Sequence, residues 1–193
     1  MSPQSGLFDS APPEPTDRLF FALFPDAATA MRIRALAEDF CRRNGLAGKL
    51  LEPERLHITL FHVGDWAGLP ADTVQAAQTA AARLRAAPFE LSLDQVMSFS
   101  PHRPRPPLVL KAGGGNAALH AMRAALGREL AKAGLGRCVT ASFEPHVTLS
   151  YPPQGAVTEA VQPIRWTAGE FVLVHSLLGK TVHIPLNRWP LQA

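Results

Sequence analysis

Leu56-His57-Ile58-Thr59-Leu60-Phe61 and, far along the chain, Pro145-His146-Val147-Thr148-Leu149 are the stretches on which the reading of this sequence turns. Both are short apolar runs in which histidine, a β-branched residue, threonine and leucine follow one another. Successive side chains of a strand point to opposite faces. His57 therefore shares a face with Thr59, and His146 with Thr148, while Ile58, Leu60, Val147 and Leu149 turn toward a core. Each run would present an imidazole beside a hydroxyl from a rigid strand, the placement that catalytic geometry requires. The plain alternative is that each histidine is an ordinary strand residue satisfied by a backbone carbonyl. Duplication of the whole tetrad in a chain with only seven histidines favours the paired reading.

Working outward, Arg18 to Phe24 is a buried strand that stops at Pro25-Asp26, and Asp26 is placed to cap a helix. Ile33, Leu36, Ala37, Phe40 and Cys41 recur on one face of that helix, and Gly45 ends it. A second helix runs from about Ala71 to Ala87, with Val74, Ala77, Ala81 and Leu84 inward. Phe89, Leu91 and Leu93 alternate with polar residues as a half-buried strand. Ser100 to Pro107 is too rich in proline for a central strand and reads as an exposed basic loop. Leu108 to Lys111 forms a short strand. Gly113-Gly114-Gly115, a turn, leads to a third helix with Leu119, Met122, Leu126 and Leu130 inward and Gly134 after it. Phe171 to Leu178 and Thr181 to Leu186 form a terminal hairpin. The order of elements predicts an α+β fold. It is expected to be bilobal, with two similar sheet-plus-helix lobes. Residues 1–17, rich in proline and poor in apolar groups, are expected to be a disordered arm, and 18–193 a single domain.

Of the 193 residues, 47% are hydrophobic and 18% charged, enough for a sizeable core, and the formal charge of +3 is compatible with a phosphate substrate without demanding one. No apolar run reaches the roughly 20 residues of a membrane span, and no signal peptide is recognisable, so a cytoplasmic protein is expected. Cys41 and Cys138 read as buried free thiols. No histidine combines with other ligands at metal-binding spacing, so no metal and no cofactor are expected. His62 lies five residues after His57 and would face the opposite side of an unbroken strand. His102 falls in the proline loop, His120 on a helix, and His175 and His183 in the hairpin, where His183 is a candidate pocket residue.

At the two tetrads the sequence resembles the two-histidine (2H) phosphoesterase superfamily, named for paired His-x-Thr-x motifs. Within it the chain looks most like the bacterial RNA 2′,3′-cyclic phosphodiesterases, also called RNA 2′-5′ ligases. The likeness runs from about Arg18 to Leu191 and includes Arg18-Leu19-Phe20-Phe21-Ala22-Leu23, Pro104-Arg105-Pro106 and Ser176-Leu177-Leu178-Gly179. Relatives often carry a basic residue after the second tetrad, where this chain has Ser150-Tyr151, and Lys-Phe-Leu-Gly where it has Phe61-His62-Val63-Gly64. The resemblance implies lobes that flank a central cleft and offer it one motif each. It also implies metal-independent opening of 2′,3′-cyclic phosphate ends of RNA to 2′-phosphomonoesters. His146 would be the base, His57 the acid, and Thr59 and Thr148 the phosphate-binding hydroxyls. Tyr151, Arg103, Arg105 and His183 are further candidate substrate contacts.

Ring opening needs one proton removed from water and another given to the departing sugar oxygen, tasks that a neutral and a protonated imidazole divide. The expected partner is an RNA end acted on by a monomer, with no membrane involved. Rival readings are an RNA-end binding module without turnover, a phosphodiesterase acting on a small cyclic nucleotide, and ligation in reverse as a side activity.

Overall fold

The computed structural model describes residues 13–99, 105–152 and 157–192. Eleven elements follow one another: β1 (Asp17–Leu23), α1 (Ala27–Arg43), β2 (Ile58–Trp66), α2 (Ala71–Ala82), β3 (Phe89–Ser98), β4 (Leu108–Lys111), α3 (Ala117–Leu130), β5 (His146–Ser150), β6 (Thr158–Ala168), β7 (Glu170–Leu177) and β8 (Val182–Pro190). The strands make one eight-stranded sheet in the order β6-β3-β4-β5-β2-β1-β7-β8, every pairing antiparallel.

The α+β class is as expected. The sheet is continuous, and its four-stranded halves meet where β2 and β5 share the single pair Ile58–Val147. Each half contains a strand, a helix and an antiparallel neighbouring strand, β1-α1-β2 in one and β4-α3-β5 in the other.

Leu19, Phe21 and Leu23 of β1, Leu91 and Leu93 of β3, Leu108 and Leu110 of β4 and Phe171 and Leu173 of β7 alternate into one buried cluster. Ile33 and Phe40 of α1, Ala77 and Ala81 of α2, and Leu119, Met122, Leu126 and Leu130 of α3 enter the same cluster. All three helices thus cover one face of the sheet. Burying each large apolar side chain contributes about 1.5–3 kcal/mol, so this face fixes the register of the strands above it. The other face carries a smaller cluster, Phe20, Ala22, Val172 and Val174, and this is the face to which His57 and Thr59 are assigned by alternation.

Asp26 caps α1 as expected, accepting from the Thr29 N–H and the Thr29 hydroxyl, both at 2.8 Å. Its carboxyl is held below the ordinary value by those bonds. The helix expected to reach Ala87 ends at Ala82, because Ala86 bridges to Gln192 and Pro88 disfavours helical backbone before it. β6 corresponds to no element expected from the sequence; it carries Pro163 and is tolerated as the outermost strand. The arm expected over 1–17 lies outside the described residues up to residue 12, whereas the Thr16 N–H donates to the Trp66 carbonyl at 2.8 Å and Asp17 opens β1. Among the described residues no helix is long and apolar enough to cross a membrane.

Candidate active site

The Ile58–Val147 pair determines what lies around it. Both side chains are fully buried on the helix side, so their chain neighbours emerge on the other face. Around this one bridged pair the antiparallel direction of the strands orders the four residues as a square, with His57 on the side of Thr148 and Thr59 on the side of His146. The two histidines occupy one diagonal of this square and the two threonines the other. All four are half-buried.

Both imidazoles are held by the same local device. His57 Nδ1 lies 2.6 Å from the Arg55 carbonyl, and His146 Nδ1 lies 2.7 Å from the Glu144 carbonyl, in each case two residues upstream. A carbonyl only accepts, so Nδ1 carries the proton in both rings. Nε2 is left as the nitrogen that takes up or gives a proton. The plain alternative raised from the sequence, a carbonyl-satisfied strand histidine, therefore describes one nitrogen of each ring and leaves the other available.

Around His57 the wall is aromatic. Phe20 stacks on it at 5.0 Å, Phe24 lies tilted at 5.4 Å and His183 stands edge-on at 5.4 Å. Burial pushes the His57 imidazole down to about 4, opposed by its bond to the Arg55 carbonyl and reinforced by the charges of His183, Arg55 and His146. His146 meets Phe99 edge-on at 4.7 Å. It too is held below the ordinary histidine value by burial, against the Glu144 carbonyl and carboxylate and together with Lys111. Lys111 is the cross-strand partner of His146 on β4, and its ammonium is paired with Glu144 at 2.9 Å. It was legible in the sequence only as the end of a strand.

Past the Ile58–Val147 pair the two strands diverge, and the gap is a cleft of about 380 Å³ lined by Thr59, His62, Arg123, Thr140, Phe143 and His146 among others. His62 belongs on this face. Register shifts in β2 place it opposite Phe20 rather than on the far side, so the unbroken strand assumed in the sequence reading is corrected by bulges. His62 Nε2 contacts Asp65 at 2.7 Å, and Asp65 also receives a bidentate pair from Arg18 at 2.7 and 2.8 Å. Arg18 holds the Asp65 carboxyl down at about 2. Tyr151, 54% exposed, lies near enough to Arg18 to interact with its charge.

Of the other predicted contacts, His183 comes from β8 to the edge of His57, Arg105 is exposed just before β4, and Arg103 lies outside the described residues. Arg123 had no signal beyond its place on a helix. Buried in α3, it donates from Nε to the Leu60 carbonyl at 2.9 Å and from Nη2 to the Thr140 carbonyl at 3.0 Å. The rings of Phe61 and Phe143 sandwich it, each centroid at 4.3 Å. Among the described residues no three His, Cys, Asp or Glu side chains gather as a metal site.

The fold recurs in solved proteins. Apo LigT of E. coli superposes with a TM-score of 0.74 and 25% identity, covering 93% of this chain and 100% of that one. The same E. coli protein complexed with 3′-AMP gives 0.71 and 28%, with the same coverage. TT0787 of Thermus thermophilus shares the fold at a TM-score of 0.70 and 21% identity, over 91% of this chain and 98% of its own. No curated protein matches the chain in sequence. The model of the 2′-5′ RNA ligase superfamily, however, matches residues 24–180, which include both tetrads and the sheet junction between them. With a two-histidine, two-threonine face of this kind inside the matched region, the chain belongs to the 2′-5′ RNA ligase superfamily and is of the phosphoesterase type.

Proposed function

We propose that the chain hydrolyses 2′,3′-cyclic phosphate ends of RNA to 2′-phosphomonoesters, with His146 as general base and His57 as general acid. The observation that carries this reading is the Ile58–Val147 pair, which sets both His-x-Thr-x motifs on one face, with Nε2 of each ring uncommitted among the described residues. A cyclic phosphate seated on the square would lie between the two rings, its non-bridging oxygens within reach of the Thr59 and Thr148 hydroxyls.

In the reaction His146 Nε2 takes a proton from water, whose oxygen forms a new bond to phosphorus. The bond from phosphorus to the 3′-oxygen breaks, and that oxygen takes the proton from His57 Nε2. The threonine hydroxyls donate to the oxygens on which charge builds. Burial keeps both rings neutral near pH 7 in the free protein, so the acid must acquire its proton with the substrate. A phosphate anion beside two imidazoles raises the proton affinity of both, which supplies that step.

RNA ends are favoured as substrate by the superfamily to which the chain belongs, and ligation of such ends is the same ring opening with a 5′-hydroxyl in place of water as the nucleophile. The proposed setting is a cytoplasmic monomer. The decisive experiment is product analysis on an RNA ending in a 2′,3′-cyclic phosphate. A 2′-phosphomonoester from the natural chain, absent with His57→Ala and His146→Ala, is expected. Unchanged RNA, or a 3′-phosphate product, would overturn the reading. Comparison with a cyclic mononucleotide then separates an RNA enzyme from one acting on small nucleotides.

A further inference from the structure

Arg55 lies at the end of the tight 3₁₀ turn Pro53–Arg55, and its carbonyl is the one that accepts from His57 Nδ1. Its side chain therefore leaves the backbone from a point tied to the candidate acid. Arg18, Arg34, Arg42, Arg43 and Arg188 each meet a carboxylate. Among the described residues Arg55 makes no such pair, and its Nε is shut away from solvent without a hydrogen-bond partner. His183 Nδ1 is buried and unpartnered in the same way.

The His183 ring stands edge-on to both His57 and Phe20 at 5.4 Å, although β8 is three places from β2 in the sheet. The edge strand must therefore curl over the open face to bring the ring there. Burial holds the His183 imidazole down at about 4, and the charge of Arg55 adds to the fall. Beyond His183 opens a cavity of about 530 Å³ whose carboxylates are Asp26, Glu54 and Glu170. Asp26 is committed to Thr29 and Glu170 to Arg188, and Glu54 is exposed. Buried polar nitrogens without partners are costly in a native fold and call for an explanation. A guanidinium and an imidazole, both attached to the surroundings of His57, make a set suited to phosphate oxygens.

We infer that Arg55 and His183 form a second anion site beside His57, which takes the phosphate on the 5′ side of the terminal nucleotide while the cyclic phosphate occupies the histidine–threonine square. The assignment to a second phosphate rests on the proposed reaction and on sheet order. The square lies between β2 and β5, whereas His183 approaches His57 from the β8 side, away from β5. Such a site would set the distance between the reacting phosphate and its neighbour, and so favour a nucleotide carrying both groups over one carrying the first alone.

The test is binding of a nucleoside 3′,5′-bisphosphate and of the corresponding 3′-monophosphate to the full chain, measured by calorimetry. The natural protein is expected to bind the bisphosphate at least tenfold more tightly. In Arg55→Gln and in His183→Gln the ratio should fall to about two or below, with circular dichroism verifying the fold. Arg32→Gln, which removes an exposed positive charge on α1, should keep the natural ratio. A ratio near one in the natural chain, a ratio untouched by Arg55→Gln, or an equal fall in Arg32→Gln would overturn the second site. The readout does not depend on turnover. A chain that shows the ratio but leaves cyclic phosphate intact loses the proposed reaction and keeps the site, and the converse result does the opposite.

Discussion

Ile58 and Val147 are, among the described residues, the only bridged pair between β2 and β5, and the placement of His57, Thr59, His146 and Thr148 on a common face descends from it. Neither side chain is exposed at all, so the apolar face beneath holds the junction in register. A slip of one residue would turn every group of the tetrad into the core. The junction thus joins packing on one face of the sheet to chemistry on the other.

Trimming that junction should cost stability and activity separately. Ile58→Ala removes most of a fully buried side chain, worth about 2–5 kcal/mol, and a lower unfolding midpoint in urea is expected. Because the anchor of the square is loosened, kcat should fall even under conditions where the variant is fully folded. Activity equal to the natural chain in that folded state would show that the junction does not position the site.

Replacing either histidine with alanine should lower kcat/KM on a cyclic-phosphate RNA by about a hundredfold or more. The double variant should lose little beyond the worse single one, since acid and base serve one concerted step. Thr59→Val and Thr148→Val should each cost about a hundredfold, mainly in kcat, if their hydroxyls act on charge developed in the transition state. A pure KM effect would assign them to ground-state binding instead.

The pH dependence follows from the direction of the shifts. His57 and His183 fall from 6.5 to about 4, and His146 falls as well. The folded protein therefore binds fewer protons than the unfolded chain in the window between about 4 and 6.5. Stability is fully present above pH 6.5 and declines as the pH falls toward 4, which thermal melts across that range would display. The acid limb of kcat/KM, which reports the free protein, should lie below 6.5. The limb of kcat should lie at higher pH, because the bound phosphate raises both imidazoles. Coincident limbs would argue against an acid protonated with the substrate.

Much of this was legible in the sequence. Strict alternation in the two tetrads located β2 and β5, and the buried stripe Leu119, Met122, Leu126 and Leu130 emerged as read. What escaped were features with no local signal. The bulges that bring His62 onto the open face are set by pairing with β1. β6 is stabilised by β3 despite its proline. Lys111 gains its position opposite His146 only when β4 and β5 pair. The approach of His183 to His57 depends on the curl of the whole sheet, which no window of sequence encodes.

Exposure to EDTA should leave the initial rate on cyclic-phosphate RNA unchanged, because every proton transfer in the proposed reaction belongs to an imidazole. Loss of activity with chelator, restored by a divalent cation, would transfer part of the chemistry to a metal.

Arg123 provides the most specific stability prediction. β2 is paired with β5 only at Ile58, so the Leu60 carbonyl has no ladder donor from that side, and Arg123 Nε supplies one at 2.9 Å. Nη2 reaches the Thr140 carbonyl across the gap, and the flat guanidinium lies between Phe61 and Phe143. Burial lowers its proton affinity, yet an arginine stays charged at any pH the protein survives. Arg123→Met keeps much of the apolar volume while stranding both carbonyls, at about 1–3 kcal/mol for each group left unpaired. Arg123→Lys retains the charge but not the two-directional fork, and should recover only part of the loss. Urea melts of the three proteins should rank natural, then lysine, then methionine. A methionine variant as stable as the natural chain would mean that the guanidinium is not what closes the gap between β2 and the segment leading to His146.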